Sequence, residues 1–216
     1  MSQDVAFHDV FSLDEPSLLD IVPRPSLALI FVYPHTAAVD AYHDERLTKH
    51  EAYEASGPSE PILYIKQSIT NACGLMALMH SLCNGIPADE YLKTNSTLST
   101  FVKDAISLQP IERSQLLENS NAIEHAYARA ADTGNSTVPE LGVPPDHSFT
   151  AFVKDRTGRM WELSGRKAPI DLGMLDGNED LLSEAALDRG PRMWMALEKE
   201  GGGLGFSCIS LGPSHL

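Results

Sequence analysis

The sequence predicts an α+β fold, with helices packed against an antiparallel sheet. Two observations carry this. Helical and strand-like segments interleave along the chain, and the last strand-like segments form a hairpin and a terminal strand rather than β–α–β crossovers. The hairpin pairs Phe149-Thr-Ala-Phe-Val153 with Met160-Trp-Glu-Leu163 through Asp155-Arg-Thr-Gly158, and the terminal strand runs from Phe206 to Leu211.

Taken in order, Ser12 to Asp20 reads as a short helix. Ser12 caps it, Glu15 completes an S-x-x-E capping box, and Leu18 and Leu19 face inward. Pro23 and Pro25 then break the chain. Ser26-Leu-Ala-Leu-Ile-Phe-Val-Tyr33 is a continuous apolar run of strand length, as expected of a strand buried on both faces. Residues 35–58 are polar and ambiguous. Ile62-Leu-Tyr-Ile65 is a second strand candidate. It leads through Gln67-Ser-Ile-Thr-Asn-Ala-Cys73-Gly74 into an apolar helix, Leu75 to Cys83. Ser96–Ser107, Pro110–Asn119 and Ala122–Asp132 read as further helices. Pro110 suits a helix start, where a missing N–H costs nothing. Thr133 to Asp146 is rich in Gly, Pro, Ser and Asn and reads as a long loop, a kind of segment that is often functional. Glu179–Asp188 and Arg192–Glu198 read as helices. No internal repeat divides the chain, so residues 1–216 are taken as one domain.

With 43% apolar residues the chain can bury a core. Its formal charge of −14 repels nucleic acid and anionic membranes and attracts basic partners, although solubility alone explains such a balance. The longest apolar run, Leu27 to Val32, falls far short of the roughly 20 residues that span a bilayer. Met1-Ser2-Gln3-Asp4 lacks the basic start of a secretory signal, so the sequons at Asn95 and Asn135 read as chance matches. Three scattered cysteines suit neither a disulfide framework nor a zinc site, and fit a reducing compartment. The expectation is a cytoplasmic or nuclear monomer without metal or cofactor.

Cysteine-based hydrolysis needs a thiolate, an imidazole to take its proton, a group to orient that imidazole, and donors for the oxyanion. Cys73 sits where the loop gives way to a helix, and the positive end of a helix dipole lowers a thiol pKa. Gly74 behind it lets another backbone come close. Gln67, six residues earlier, can offer a side-chain amide, and the Cys73 N–H a second donor. A buried structural thiol is the plainer reading of a lone cysteine, and Cys83 and Cys208 are read that way. His147 follows the long loop at a strand edge, where it can be reached by a helix terminus. His80, two turns into the helix, reads as a packing or solvated histidine.

These residues resemble a known family. "KQSITNACGLMALMHSL" resembles the active-site motif of the ubiquitin C-terminal hydrolases, and "FHDVFSLDEPSLLDIVPRPSLALIFVYP" the segment before it. "STLSTFVKDAISLQPIERSQLLENSNAIEHAY" resembles the family's helical region, "FTAFVKDRTGRMWELSGRKAPIDLG" the hairpin of the catalytic histidine, and "GFSCISLG" the last strand. The likeness is collinear over nearly the whole chain. It implies a papain-like cysteine protease fold with an entangled chain and adjacent termini. It also implies thiol-dependent removal of small adducts or peptides from the C-terminal glycine of ubiquitin, whose basic tail an acidic face would attract. It implies Cys73 as nucleophile, Gln67 as oxyanion donor, His147 as general base and acid, and 133–146 as the loop that crosses the active site.

Three departures qualify the likeness. The family usually begins with an additional helical segment of roughly two dozen residues, which this chain lacks. Ser164 stands where the family has an aspartate that orients the imidazole; in the serine-protease template, neutralising that group lowers turnover by about 10⁴. Asp171 and Glu162 are the candidate substitutes, and Ser164→Asp is expected to raise turnover tenfold or more. Finally, Ser148 intervenes between His147 and Phe149, where the family has His-Phe. A one-residue slip turns a strand side chain to the other face, and a bulge at Ser148 would restore it. The alternative function is a weakened or inactive relative that binds ubiquitin without efficient cleavage. A further alternative is the same chemistry on a different modifier.

Overall fold

The computed structural model describes residues 1–49, 52–133, 145–197 and 205–215. Six strands make one sheet: β1 (Val5–Asp9), β2 (Ala28–Pro34), β3 (His147–Lys154), β4 (Arg159–Leu163), β5 (Ile170–Met174) and β6 (Ser207–Pro213). They lie in the order β1-β6-β2-β3-β4-β5, and every pairing is antiparallel. The described helices are α1 (Pro16–Leu19), α2 (Ala37–Lys49), α3 (Cys73–Leu82), α4 (Gly85–Glu90), α5 (Thr97–Ala105), α6 (Pro110–Glu118), α7 (Asn121–Asp132), α8 (Glu184–Arg189) and α9 (Pro191–Ala196).

The apolar run of β2 is buried on both faces because the sheet separates two cores. Ala28 and Ile30 join Ala151, Val153 and Leu163 against α3, α5 and the 62–65 segment. Leu29, Phe31 and Tyr33 join Phe152, Met160 and Cys208 against Trp194 of α9 and Leu187 of α8. Trp194 stacks on Tyr33, with ring centroids 4.5 Å apart and planes 19° apart. Each such large apolar side chain contributes about 1.5–3 kcal/mol when fully buried. β1 pairs with β6 from Val5↔Pro213 to Asp9↔Ile209, so the chain ends lie side by side, as the family resemblance implies.

Several expectations are corrected. Ser12 does not cap a helix: its hydroxyl accepts the N–H groups of Asp14 and Glu15 in a local turn, and α1 begins only at Pro16. Leu18 is exposed, while Leu19 is buried. Ile62–Ile65 is buried but belongs to no strand. Side chains take the place of a neighbouring strand: Asn84 brackets the Leu63 peptide, His80 accepts the Ile65 N–H, and Arg113 donates to the Tyr64 carbonyl. The helix expected from Glu179 starts only at Glu184, capped by Ser183. β1, β5, α2 and α4 went unread. The β1 sequence is half exposed and depends on β6 for its partner, and β5 carries Gly173 at φ +91° beside a bulge at Met160/Trp161. Of the expected crossing loop, residues 134–144 lie outside the described residues.

Candidate active site

Cys73 opens α3, and its side chain is buried at 7% exposure. The chain enters the helix through Asn71, whose φ of +58° is left-handed, and through Ala72 at φ −95°, ψ 15°. No side chain caps this end, so the first amides of α3 point outward without an internal partner. The macrodipole then favours a negative charge at the Cys73 position. Backbone strain of this kind collects at functional turns, where it costs on the order of 1–3 kcal/mol. Cys83 and Cys208 differ: burial pushes both thiols up to about 12, which suits core residues.

Gln67 is tied to the exit of β4. Its N–H donates to the Gly165 carbonyl at 2.8 Å, and its Nε2 donates to the Ile69 carbonyl at 2.7 Å. The Ile69 acceptor fixes which end of the amide is nitrogen. One Nε2–H is left for another acceptor, and Oε1 is buried with no hydrogen-bond partner among the described residues. The close approach here needs Gly165, which the sequence reading missed. A Cβ on it would stand 2.8 Å from Gln67 Cβ and 2.8 Å from Met76 Cγ. Gly74 is less constrained: its neighbour is the Phe149 ring at 3.8 Å, not a backbone.

His147 is the first residue of β3, opposite Pro34 of β2. The β2–β3 register runs unbroken from Ala28↔Val153 to Pro34↔His147, so there is no bulge at Ser148. Strand alternation therefore decides the faces. Phe149, Ala151 and Val153 face the α3 core, and His147 shares their side. Its Nε2 lies toward the entry to β6, 3.4 Å from where a Cβ on Gly205 would stand. Ser148 faces the opposite side, hydrogen-bonded to the Tyr33 hydroxyl. Among the described residues no hydrogen bond joins the His147 ring to Cys73 or to Ser164.

Ser164 is buried, and its hydroxyl accepts the Arg166 N–H at 3.4 Å in a tight turn. Asp171 is an exposed partner of Arg159 at 2.7 Å. Glu162 is buried at 3% exposure and paired with Arg46 at 2.8 Å; burial raises its pKa, with Arg46 opposing. Among the described residues neither carboxylate makes a hydrogen bond or ion pair with His147. Lys167 sits near Glu162, and burial lowers its ammonium to about 7.

One histidine not read from the sequence does meet this network. His35, just past β2, places Nε2 2.8 Å from Ser148 Oγ and Nδ1 3.1 Å from Asp40 Oδ1. Tyr33 is the β2 partner of Ser148. Burial raises its pKa most, and charge on Glu162 and Cys73 adds to the effect. The available signal was Tyr33-Pro-His35 at the end of an apolar strand, with Asp40 five residues on.

The described residues contain no group of three or more His, Cys, Asp or Glu side chains arranged to hold a metal ion. They contain no helix long and apolar enough to cross a membrane.

Comparison with known proteins agrees with this architecture. A family model described as "Ubiquitin carboxyl-terminal hydrolase, family 1" matches residues 1–190. Ubiquitin carboxyl-terminal hydrolase 3 of Arabidopsis thaliana is 32% identical over 205 residues, covering 94% of this chain and 82% of that protein. A ubiquitin carboxyl-terminal hydrolase of Aplysia californica is 34% identical over 187 residues, 83% of this chain and 79% of that one. The crystal structure of the Trichinella spiralis UCH37 catalytic domain bound to ubiquitin vinyl methyl ester superposes with a TM-score of 0.69 at 20% identity, covering 97% of this chain and 85% of that one. With its unaided helix start at Cys73, its six-stranded antiparallel sheet and a family match over most of its length, this chain belongs to the ubiquitin carboxyl-terminal hydrolases of family 1.

Proposed function

We propose that the protein is a cysteine-type deubiquitinating hydrolase that removes small adducts or peptides from the C-terminal glycine of ubiquitin, with Cys73 as its nucleophile. The observation that carries the reading is the entry to α3. An uncapped helix start holds Cys73 behind the left-handed Asn71, and Gln67 has an amide proton to spare. The thiolate attacks the terminal glycine carbonyl. The Cys73 N–H and Gln67 Nε2–H stabilise the oxyanion, each such donor being worth about 10²–10³ in turnover. His147, the first residue of β3, takes the thiol proton and later delivers it to the leaving amine. Water then releases the acyl-enzyme.

Ubiquitin's basic tail is the partner that the net charge of −14 would steer, in a reducing cytoplasmic or nuclear setting and without nucleic acid. The protein acts as a monomer. One observation favours a second reading, a ubiquitin-binding relative with little turnover: among the described residues the thiol and the His147 imidazole share no hydrogen bond, and no carboxylate stands at Ser164.

Ubiquitin vinyl methyl ester separates the two. Covalent capture with the adduct mapped to Cys73, together with cleavage of a fluorogenic ubiquitin C-terminal amide that Cys73→Ala abolishes, supports the hydrolase. Tight ubiquitin binding without capture or turnover supports the second reading.

A further inference from the structure

Beside the Gln67 loop lies a cavity whose charge is opposite to that of the chain. Its volume is about 300 Å³, and Lys66, Arg166, Tyr64 and Glu54 are among the residues that line it. Lys66 and Arg166 are exposed, and among the described residues neither side chain has an ion pair or a hydrogen bond. Glu54 is the single carboxylate among the described lining residues. Lys167 also lines the cavity, but it is buried with Glu162 as a charged neighbour. The local balance is therefore positive in a chain of net charge −14. The backbone fixes where both exposed cations stand. The Lys66 N–H donates to the Pro110 carbonyl at 3.1 Å, and the next N–H, that of Gln67, donates to the Gly165 carbonyl at 2.8 Å. The buried Tyr64 hydroxyl donates to the Lys167 carbonyl and lies 3.2 Å from the carbonyls of Ser164 and Gly165, which pins the turn that carries Arg166. Lys66 thus directly precedes Gln67, and Arg166 directly follows the glycine packed against it.

We infer that this cavity is the subsite for the leaving group, and that Lys66 and Arg166 select leaving groups that carry carboxylates. The inference rests on the thiol-hydrolase reading and names the substrate class of that site. Gln67 serves the oxyanion there, so the scissile carbonyl stands beside Gln67, and the chain on either side of the bond passes close to residues 66 and 166. On the acyl side the chain is ubiquitin's tail, which is basic and is repelled by two cations. The leaving side is left to the cations, and the sign it must carry is negative. Arg166 offers a planar fork that fits a carboxylate in two bonds, and Lys66 offers a compact point charge. An acidic group is disfavoured elsewhere on so acidic a surface, so these two residues decide where it sits.

The test uses the full chain and two ubiquitin fusions. Each extends the C-terminal glycine by the same short peptide, one with Asp and Glu, the other with Lys at those positions. The readout is the ratio of kcat/KM for the acidic fusion over the basic one within each protein, so a general loss of activity cancels. The wild type is expected to prefer the acidic fusion at least fivefold at about 0.01 M salt, where charges act over about 30 Å, and to lose the preference at about 1 M, where they act over about 3 Å. Lys66→Gln with Arg166→Gln is expected to bring the ratio within twofold of one, and Lys66→Glu with Arg166→Glu to reverse it. Cys73→Ala protein, which does not cleave, is expected to bind the acidic fusion more tightly by a similar factor. A wild-type preference below fivefold at low salt, or one that survives Lys66→Glu with Arg166→Glu, overturns the inference and leaves the Cys73 chemistry standing. Failure of the wild type to cleave either fusion removes the hydrolase reading instead, and the affinities of Cys73→Ala protein then decide whether the cavity takes the acidic group.

Discussion

His80 Nε2 accepts the Ile65 N–H at 3.0 Å, so a helix side chain supplies a bond that a sheet neighbour would otherwise make. The ring is fully buried and stacked on Tyr64 at 5.5 Å. It can accept only while neutral, and burial, the largest influence, lowers its pKa to about 4. In the unfolded chain the value is about 6.5, so the unfolded state binds the extra proton between those limits. Stability from this group is therefore intact above about pH 6.5 and falls as pH drops toward 4, by up to about 3 kcal/mol. Urea unfolding across that range is expected to show the decline, with a shallower acid limb in His80→Gln. Equal slopes in the two proteins would show that His80 does not titrate on unfolding.

Asn84 holds the same segment from the other side. Its Oδ1 accepts the Leu63 N–H at 2.6 Å, and its Nδ2 donates to the carbonyls of Leu63 at 3.1 Å and His80 at 2.9 Å. Among the described residues no strand pairs with Leu63, so Asn84→Leu strands a buried N–H and two carbonyls. Each unsatisfied group costs about 1–3 kcal/mol, and the variant is expected to lose about 3 kcal/mol in urea unfolding. Asn84→Asp keeps the acceptor and loses the donors, and is expected to fall between wild type and Asn84→Leu.

Gly165 and Gln67 are coupled by contact. A Cβ at 165 would meet Gln67 Cβ and Met76 Cγ at 2.8 Å, so one of them must move. Overpacking of this kind costs about 1–3 kcal/mol. Gly165→Ala is expected to lower kcat tenfold or more, because the displaced residue carries the oxyanion donor. Gln67→Ala is expected to lower kcat about 10²–10³-fold with ubiquitin affinity unchanged. If Gly165→Ala loses stability but keeps kcat, Gln67 is not placed by this contact.

The sequence made the sheet legible where apolar patterning is strong. β2, the β3–β4 hairpin and β6 follow from apolar runs and a turn signal, and α6 from Pro110 at its first position. What escaped depends on partners distant in sequence. β1 is a strand only because β6 lies beside it, and 62–65 is held in place by side chains from α3, α6 and Asn84. Cys73 and Gln67 could be singled out because a helix start and a nearby amide are local features. His35 escaped although it closes an apolar strand, because its bonds to Ser148 and Asp40 depend on the register that sets Tyr33 opposite Ser148. The bulge expected at Ser148 was a device to save His147, and the unbroken register removes it.

Ser164→Asp tests that register directly. From the sequence, a carboxylate at 164 should orient His147 and raise turnover tenfold. In the folded chain Leu163 faces the α3 core and Glu162 the other side, so alternation carried one residue further sends Ser164 toward the side of Ser148 and Tyr33. His147 belongs to the opposite side, and the imidazole on the side of Ser148, His35, already pairs with Asp40 and Ser148. A carboxylate at 164 would also be a buried charge beside Glu162, a cost on the order of 1–3 kcal/mol unless it is paired. Ser164→Asp alone is therefore expected to leave kcat unchanged or lower it. A tenfold gain from Ser164→Asp in the otherwise wild-type chain would mean that His147 does reach residue 164, against the alternation of β3.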